Sequence, residues 1–228
     1  MSLGARLQAV ADFVPAGSRA ADIGTDHAYL AMQLMAERGA AAVIASDKNS
    51  GPCQAARRTL REAGLAEQVA VRQGDGLTVL EPGEADTICI AGMGGELITL
   101  LLAAAPLVLA QVKRLVLQPM NDVPLVRQWL YAHGWHLAAE RLAEADGRLY
   151  VVLLAEPGEA VMPEPVLLAM GPWLWAEKPP LFPRYVRELY ERDRQAAAGM
   201  EKSERMRQEP RYLALVQEIH DLEAKLGW

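Results

Sequence analysis

Residues 21–30 read Ala-Asp-Ile-Gly-Thr-Asp-His-Ala-Tyr-Leu, and the fold depends on how that run divides. Its first part completes an apolar stretch over 19–23 that predicts a strand. The strand's end and the short loop after it, 22–26, hold two acids and one glycine, and then comes a helical pattern over 27–38. A packed core has no use for such a loop, whereas a ligand has. Outward from it the alternation continues, with strands expected over 41–46, 69–72, 87–91 and 115–118 and helices over 54–63, 96–105 and 123–133. Strands that alternate with helices form a parallel sheet. Ahead of them Leu3, Leu7, Val10 and Val14 recur at helical spacing up to Pro15, predicting an opening helix that covers one edge of the sheet.

The pattern changes after 133. Runs over 135–142 and 149–155 flank Asp146-Gly147, a pair that favours a tight antiparallel hairpin. Proline at 157, 163, 165, 172, 179, 180 and 183 then forbids long regular structure and marks a boundary. Beyond it Phe182, Val186 and Leu189 form one helical stripe, and Leu215, Ile219, Leu222 and Leu226 another. The expected organisation is an α/β domain over 1–160, a mostly parallel sheet closed by an antiparallel hairpin, and a coiled-coil-like helical hairpin over 161–228. That sheet is similar to the Rossmann-like class I methyltransferase architecture, an analogy of fold that does not establish chemistry.

Composition narrows the class. A chain of 228 residues with 51% hydrophobic and 23% charged residues can bury a core and leaves little room for disordered tracts. Its longest apolar run, 97–110, is interrupted by Pro106 and too short to span a bilayer. The first residues lack a basic segment followed by an apolar one, so the cytoplasm is expected. Cys53 and Cys89 read as reduced thiols, and the scattered histidines predict no metal site. A net charge of −6 speaks against a polyanionic partner, although nucleic acid responds to local basic patches rather than to the average. Between 184 and 211 arginines and acids are mixed, which suits a solvated, ion-paired helix surface or, if the arginines share a face, a grip on RNA phosphates. Nothing in the sequence fixes an oligomeric state.

In an open parallel sheet, ligands sit beyond the carboxyl ends of the strands. At and just beyond the end of the first strand stand Asp22, Ile23, Gly24, Thr25 and Asp26. One glycine stands where a dinucleotide loop needs three, and the acids would repel a pyrophosphate. They welcome a cation, and the sulfonium and ammonium of S-adenosyl-L-methionine fit. Asp47, followed by Lys48, stands where a carboxylate accepts both ribose hydroxyls or caps a helix. Asp75 is placed to accept from an adenine amine, with Gly76 turning the chain, or both simply form a turn. His27 and Tyr29 offer flat faces for stacking. Ala91 and Gly92 are expected beside the donor, and Met93, Gly94, Gly95, Gln118, Pro119 and Asn121 beside the substrate, the glycines being read as a close backbone approach to it. The Asn/Asp-Pro-Pro-aromatic element of many amino-directed adenine methyltransferases is missing here, which favours a ring nitrogen as the methyl acceptor.

Taken together, the runs 21–30, Arg72-Gln73-Gly74-Asp75-Gly76-Leu77, Ile90-Ala91-Gly92-Met93-Gly94-Gly95 and Leu117-Gln118-Pro119 closely resemble the TrmK family, bacterial tRNA (adenine-22 N1)-methyltransferases. The likeness extends through Gly147-Arg148-Leu149-Tyr150 into Leu168-Ala169-Met170-Gly171-Pro172. It implies a methyltransferase domain with a C-terminal helical pair, S-adenosyl-L-methionine as donor and tRNA as substrate. Here Met120 separates Gln118-Pro119 from Asn121, where the family pattern has Asn directly after Gln-Pro. Asp26 is expected to stabilise the cationic methylated base, with His27 shaping the pocket. The alternatives are a small-molecule methyltransferase and a catalytically silent S-adenosyl-L-methionine-binding RNA partner.

Overall fold

The computed structural model describes residues 3–201 and 203–227. The chain divides into two compact units, Met1–Met162 and Pro163–Trp228. In the first, the elements run α1 (Ala5–Asp12), β1 (Arg19–Ile23), α2 (Tyr29–Ala36), β2 (Ala42–Asp47), α3 (Ser50–Glu62), β3 (Val69–Gln73), a 3-10 turn (Gly76–Val79) and β4 (Thr87–Met93). There follow α4 (Gly95–Ala103), α5 (Pro106–Leu109), β5 (Arg114–Pro119), α6 (Val123–Ala132), β6 (Trp135–Ala145) and β7 (Arg148–Pro157).

The strands form one seven-stranded sheet in the order β3-β2-β1-β4-β5-β7-β6. The first five in that order are parallel; β7 runs antiparallel to both β5 and β6. Apolar side chains on both faces explain the continuous rather than alternating patterns of β1, β4 and β5, where Ile23, Ile88, Ile90, Leu115 and Leu117 are sealed in the core. Strand order reverses direction between β1 and β4, which places the ligand crevice of such a sheet at their carboxyl ends.

Several boundaries differ from the sequence reading. The helix expected over 27–38 begins at Tyr29, because Ala28 adopts φ +56° and its N–H is held by the Thr25 hydroxyl at 3.1 Å. His27 therefore joins Asp26 in an exposed loop rather than starting the helix. Helix α3 starts at Ser50 instead of 54, with Pro52 in the first turn, where no backbone donor is needed. The opening helix is not confined to an edge: it packs over β6 and on across β7, β5 and β4, with Asp12 paired to Arg141 at 2.7 Å.

Asp146 and Gly147 both take positive φ, giving the tight turn of the β6–β7 hairpin. Leu117 pairs with Leu153, and the hairpin continues past the last residue of β5 to that turn, overhanging the working edge by roughly 10–15 Å at 3.4 Å per residue. Arg127 on α6 and Glu140 on β6, both completely buried, meet at 2.7 Å; removing either partner leaves a buried charge, at a cost of about 3–5 kcal/mol. Cys53 and Cys89 are buried free thiols, and Cys89 lies beside Asp22 in the β1–β4 ladder.

The second unit is helical: α7 (Pro165–Met170), α8 (Pro172–Glu177), α9 (Phe182–Glu201), α10 (Glu204–Arg207) and α11 (Pro210–Leu226). Two of the prolines that break the earlier pattern, Pro165 and Pro172, start α7 and α8, and Pro210 starts α11. Helices α9 and α11 pack together, burying Phe182, Val186, Leu189 and Leu222, and the Tyr190 hydroxyl donates to Glu223 at 2.7 Å. Along α9, Arg184 pairs with Glu188 and Arg192 with Asp193.

Candidate functional site

The carboxyl ends of β1 to β4 surround a cleft of about 80 Å³ lined by Ile23 and Gly24, by Ser46, Asp47, Lys48 and Asn49, by Gly74, Asp75 and Gly76, and by Met93, Leu97 and Leu101. A larger apolar cavity of about 360 Å³ is lined by Leu102, Pro106, Trp129 and His133 among others; it has no carboxylate in its lining and shares no lining residue with the cleft.

Each wall has a local cause. Gly24 follows β1 at φ +81°, a left-handed backbone that glycine adopts without strain, and a Cβ there would also have to push aside the flexible tip of Met93. Its N–H and that of Thr25 both bind Ser46 O at 2.8 Å. Asp47 does not cap α3, whose N-cap is Asn49 without a side-chain bond; its Oδ1 accepts the Asn49 N–H at 2.7 Å, closing an Asx turn. The loop carrying Asp75 is fixed by Arg72, which donates to Val79 O at 2.8 Å and pairs with Glu84. That guanidinium holds the Glu84 carboxyl down at about 2.

Asp22 behaves differently from its neighbours. Burial pushes its carboxyl up to about 6, opposed by hydrogen bonds from the Thr25 hydroxyl and the Ala31 N–H. It does not line the cleft; it braces the loop against the first turn of α2. Of the expected donor-binding acids, Asp47 and Asp75 reach the cleft. Thr25, Tyr29, Ala91 and Gly92 lie outside its lining. Above the loop, Asp26 and His27 are exposed with Oδ2 and Nε2 3.4 Å apart, and the His27 and Tyr29 rings stack with centroids 5.4 Å apart.

On the β4–β5 side a rim is built from amides. The completely buried Gln118 accepts the Gly92 N–H through Oε1 at 3.1 Å and donates to Pro119 O at 2.8 Å. Asn121 accepts the Gly95 N–H at 3.0 Å, and Met120 N–H binds Met93 O at 2.8 Å. At Gly95 the structure supplies a cause of its own beside the expected approach to substrate: a Cβ there would stand 2.7 Å from Asp122 O and 2.8 Å from Asn121 O. The close approach at Gly95 is made by the chain itself. Sequence reasoning missed Ser46, Asn49, Leu97 and Leu101 in the cleft. It also missed Arg6, whose Nη1 donates to Gln118 Oε1 at 2.5 Å and whose guanidinium lies 5.8 Å from the Tyr150 ring centroid.

Residues 3–153 match the family model described as a methyltransferase domain. The chain is 36% identical to the Bacillus subtilis tRNA (adenine(22)-N(1))-methyltransferase over 97% of its own length and 98% of the relative's. The chain belongs to this tRNA methyltransferase family. The solved B. subtilis M1A22 tRNA methyltransferase TrmK superposes with a TM-score of 0.88 at 33% identity, covering 99% of each chain. Streptococcus pneumoniae Sp1610, solved in complex with S-adenosyl-L-methionine, superposes with a TM-score of 0.86 at 32% identity over 99% of this chain and all of that one.

The cleft fits the donor of this methyltransferase family on its own chemistry. Two carboxylates, Asp47 and Asp75, stand in a wall with the backbone of Ile23 and Gly24, and Leu97 and Leu101 supply apolar surface. A polar nucleoside bearing a sulfonium matches that combination of acceptors, apolar surface and negative charge.

Proposed function

We propose that this chain methylates N1 of adenine 22 in tRNA, using S-adenosyl-L-methionine. The observation that carries this reading is the meeting, at the β1–β4 switch point, of an acid-walled cleft with an exposed His27–Tyr29 stack and an amide-built rim. Asp47 and Asp75 are assigned to the ribose hydroxyls and the adenine amine, and Ile23 and Gly24 to the backbone flanking the donor. Lys48 closes the same wall.

Bound S-adenosyl-L-methionine supplies an electrophilic methyl group on a sulfonium. The chain provides no nucleophile, because the adenine N1 lone pair is already one. Its residues orient the base and exclude water, effects that together account for several kcal/mol of the barrier. His27 and Tyr29 present a stacking face to a base drawn out of its RNA context. The Asn121 Nδ2 has no protein acceptor among the described residues and is a donor available to the base. A base methylated at N1 is cationic, and Asp26 offsets that charge; the carboxylate is largely exposed, so its effect grows when RNA displaces water from it. Substrate and donor are both cytoplasmic molecules, and the cytoplasm is the compartment we expect.

The test is incubation with a tRNA transcript and methyl-labelled donor, followed by mapping of the modified nucleotide. N1-methyladenosine at position 22, lost when that position is guanosine, is the expected result. Donor uptake without transfer to any tRNA would instead favour a silent binding partner.

A further inference from the structure

We infer that Arg6 is a binding residue for a backbone phosphate of the RNA beside the target adenine, held ready by Gln118 and Tyr150. This deepens the tRNA reading and rests on it. Arg6 lies on α1, far in sequence from the strand ends, yet its guanidinium stands directly over the β4 bulge: a Cβ on Gly92 would be 3.4 Å from Nη1. One nitrogen is fixed by the buried Gln118 carbonyl, and the Tyr150 ring flanks the group. Among the described residues no carboxylate pairs with Arg6, whereas Arg19, Arg38, Arg72, Arg114, Arg127 and Arg141 each have one.

A half-buried guanidinium held in place without a counter-ion is a preformed anion site, because its remaining N–H donors form a rigid fork matched to phosphate oxygens. The position decides which anion. Arg6 stands at the rim that Met93, Gln118 and Asn121 build beyond β4 and β5, under the overhanging β6–β7 hairpin. A cation beside N1 would oppose the positive charge that methylation creates, so Arg6 suits the phosphodiester strand rather than the reacting base. Gln118 keeps the guanidinium oriented: its Oε1 is shared between Arg6 and the Gly92 N–H, while its Nε2 is committed to Pro119 O.

The experiment measures binding of the tRNA transcript by wild type, Arg6→Ala and Arg6→Lys across a salt series, with donor affinity from calorimetry and a melting curve for each. Arg6→Ala is expected to weaken tRNA binding about tenfold and to lower the slope of log affinity against log salt by about one released ion, with donor affinity and melting unchanged. Arg6→Lys is expected to keep the wild-type slope. A wild-type slope in Arg6→Ala, or loss of donor binding in step with RNA binding, overturns the proposal. If Arg6→Ala does not fold, Arg6→Gln, which retains a donor toward Gln118, is judged by the same slope. Wild type that binds tRNA but methylates nothing sinks the N1 reading and spares Arg6. Wild type that methylates while Arg6→Ala keeps its slope sinks Arg6 alone.

Discussion

The methyl carbon of Met93 fills the place that a side chain at residue 24 would claim: a Cβ built on Gly24 lies 2.1 Å from Met93 Cε. The two residues close the cleft from the ends of neighbouring strands, β1 and β4. Gly24→Ala should therefore lose donor binding at least about tenfold by calorimetry. The left-handed backbone adds about 1–2 kcal/mol of strain, a fall of a few degrees in melting temperature. Adding Met93→Ala should relieve the collision but not the strain, recovering only part of the affinity. Unchanged affinity in Gly24→Ala would remove this loop from the donor site.

Asp47 offers a cleaner separation of charge from structure. Asn at this position can still accept the Asn49 N–H and keep the Asx turn, but it loses the carboxylate. Asp47→Asn is expected to bind the donor about 10- to 100-fold more weakly, the scale of hydrogen bonds to a charged group, with melting unchanged. Equal affinity would assign Asp47 to the turn alone.

The buried Asp22 predicts a pH dependence with a definite sign. Its carboxyl titrates near 6 in the folded chain against an ordinary value of 3.8, so the native state binds the proton more tightly than the unfolded one. The stability this contributes is complete below about pH 4 and is lost as pH rises through 6. At neutral pH the ionised form costs on the order of 2–3 kcal/mol. Denaturant melts of Asp22→Asn and wild type should diverge between pH 4.5 and 7 in favour of the variant. Parallel curves would mean that Asp22 does not titrate in that window.

Asp26→Asn is expected to lower kcat on tRNA by about 10- to 100-fold, somewhat less than loss of a buried charge-stabilising donor, while donor affinity stays at the wild-type value. A fall in donor affinity matching the fall in kcat would place Asp26 in the donor site instead.

The sheet was legible in the sequence because its strands are buried on both faces and read as short apolar runs. The place of Asp47 and Asp75 on the cleft was legible because such folds open their crevice just after a strand. Other features depend on contacts that no local pattern encodes. Ala28 carries no cue that it will take a left-handed conformation and delay α2. Asp22 and Asp26 look like equivalent acids on either side of one turn, yet one is buried against α2 and the other stands in water. Gly95 is demanded by the backbone of 121–122, and Arg6 meets Gln118 across 112 positions of chain. Neither relationship exists until the sheet is assembled.

The two sealed cysteines turn the first unit into its own reporter. Burial and the neighbouring Asp22 hold the Cys89 thiol well above its usual range, and Cys53 is equally enclosed, so an alkylating reagent finds little thiolate while the sheet is closed. Labelling must await opening of the core, and its rate in the presence of donor or RNA would register how firmly each keeps the enzyme shut.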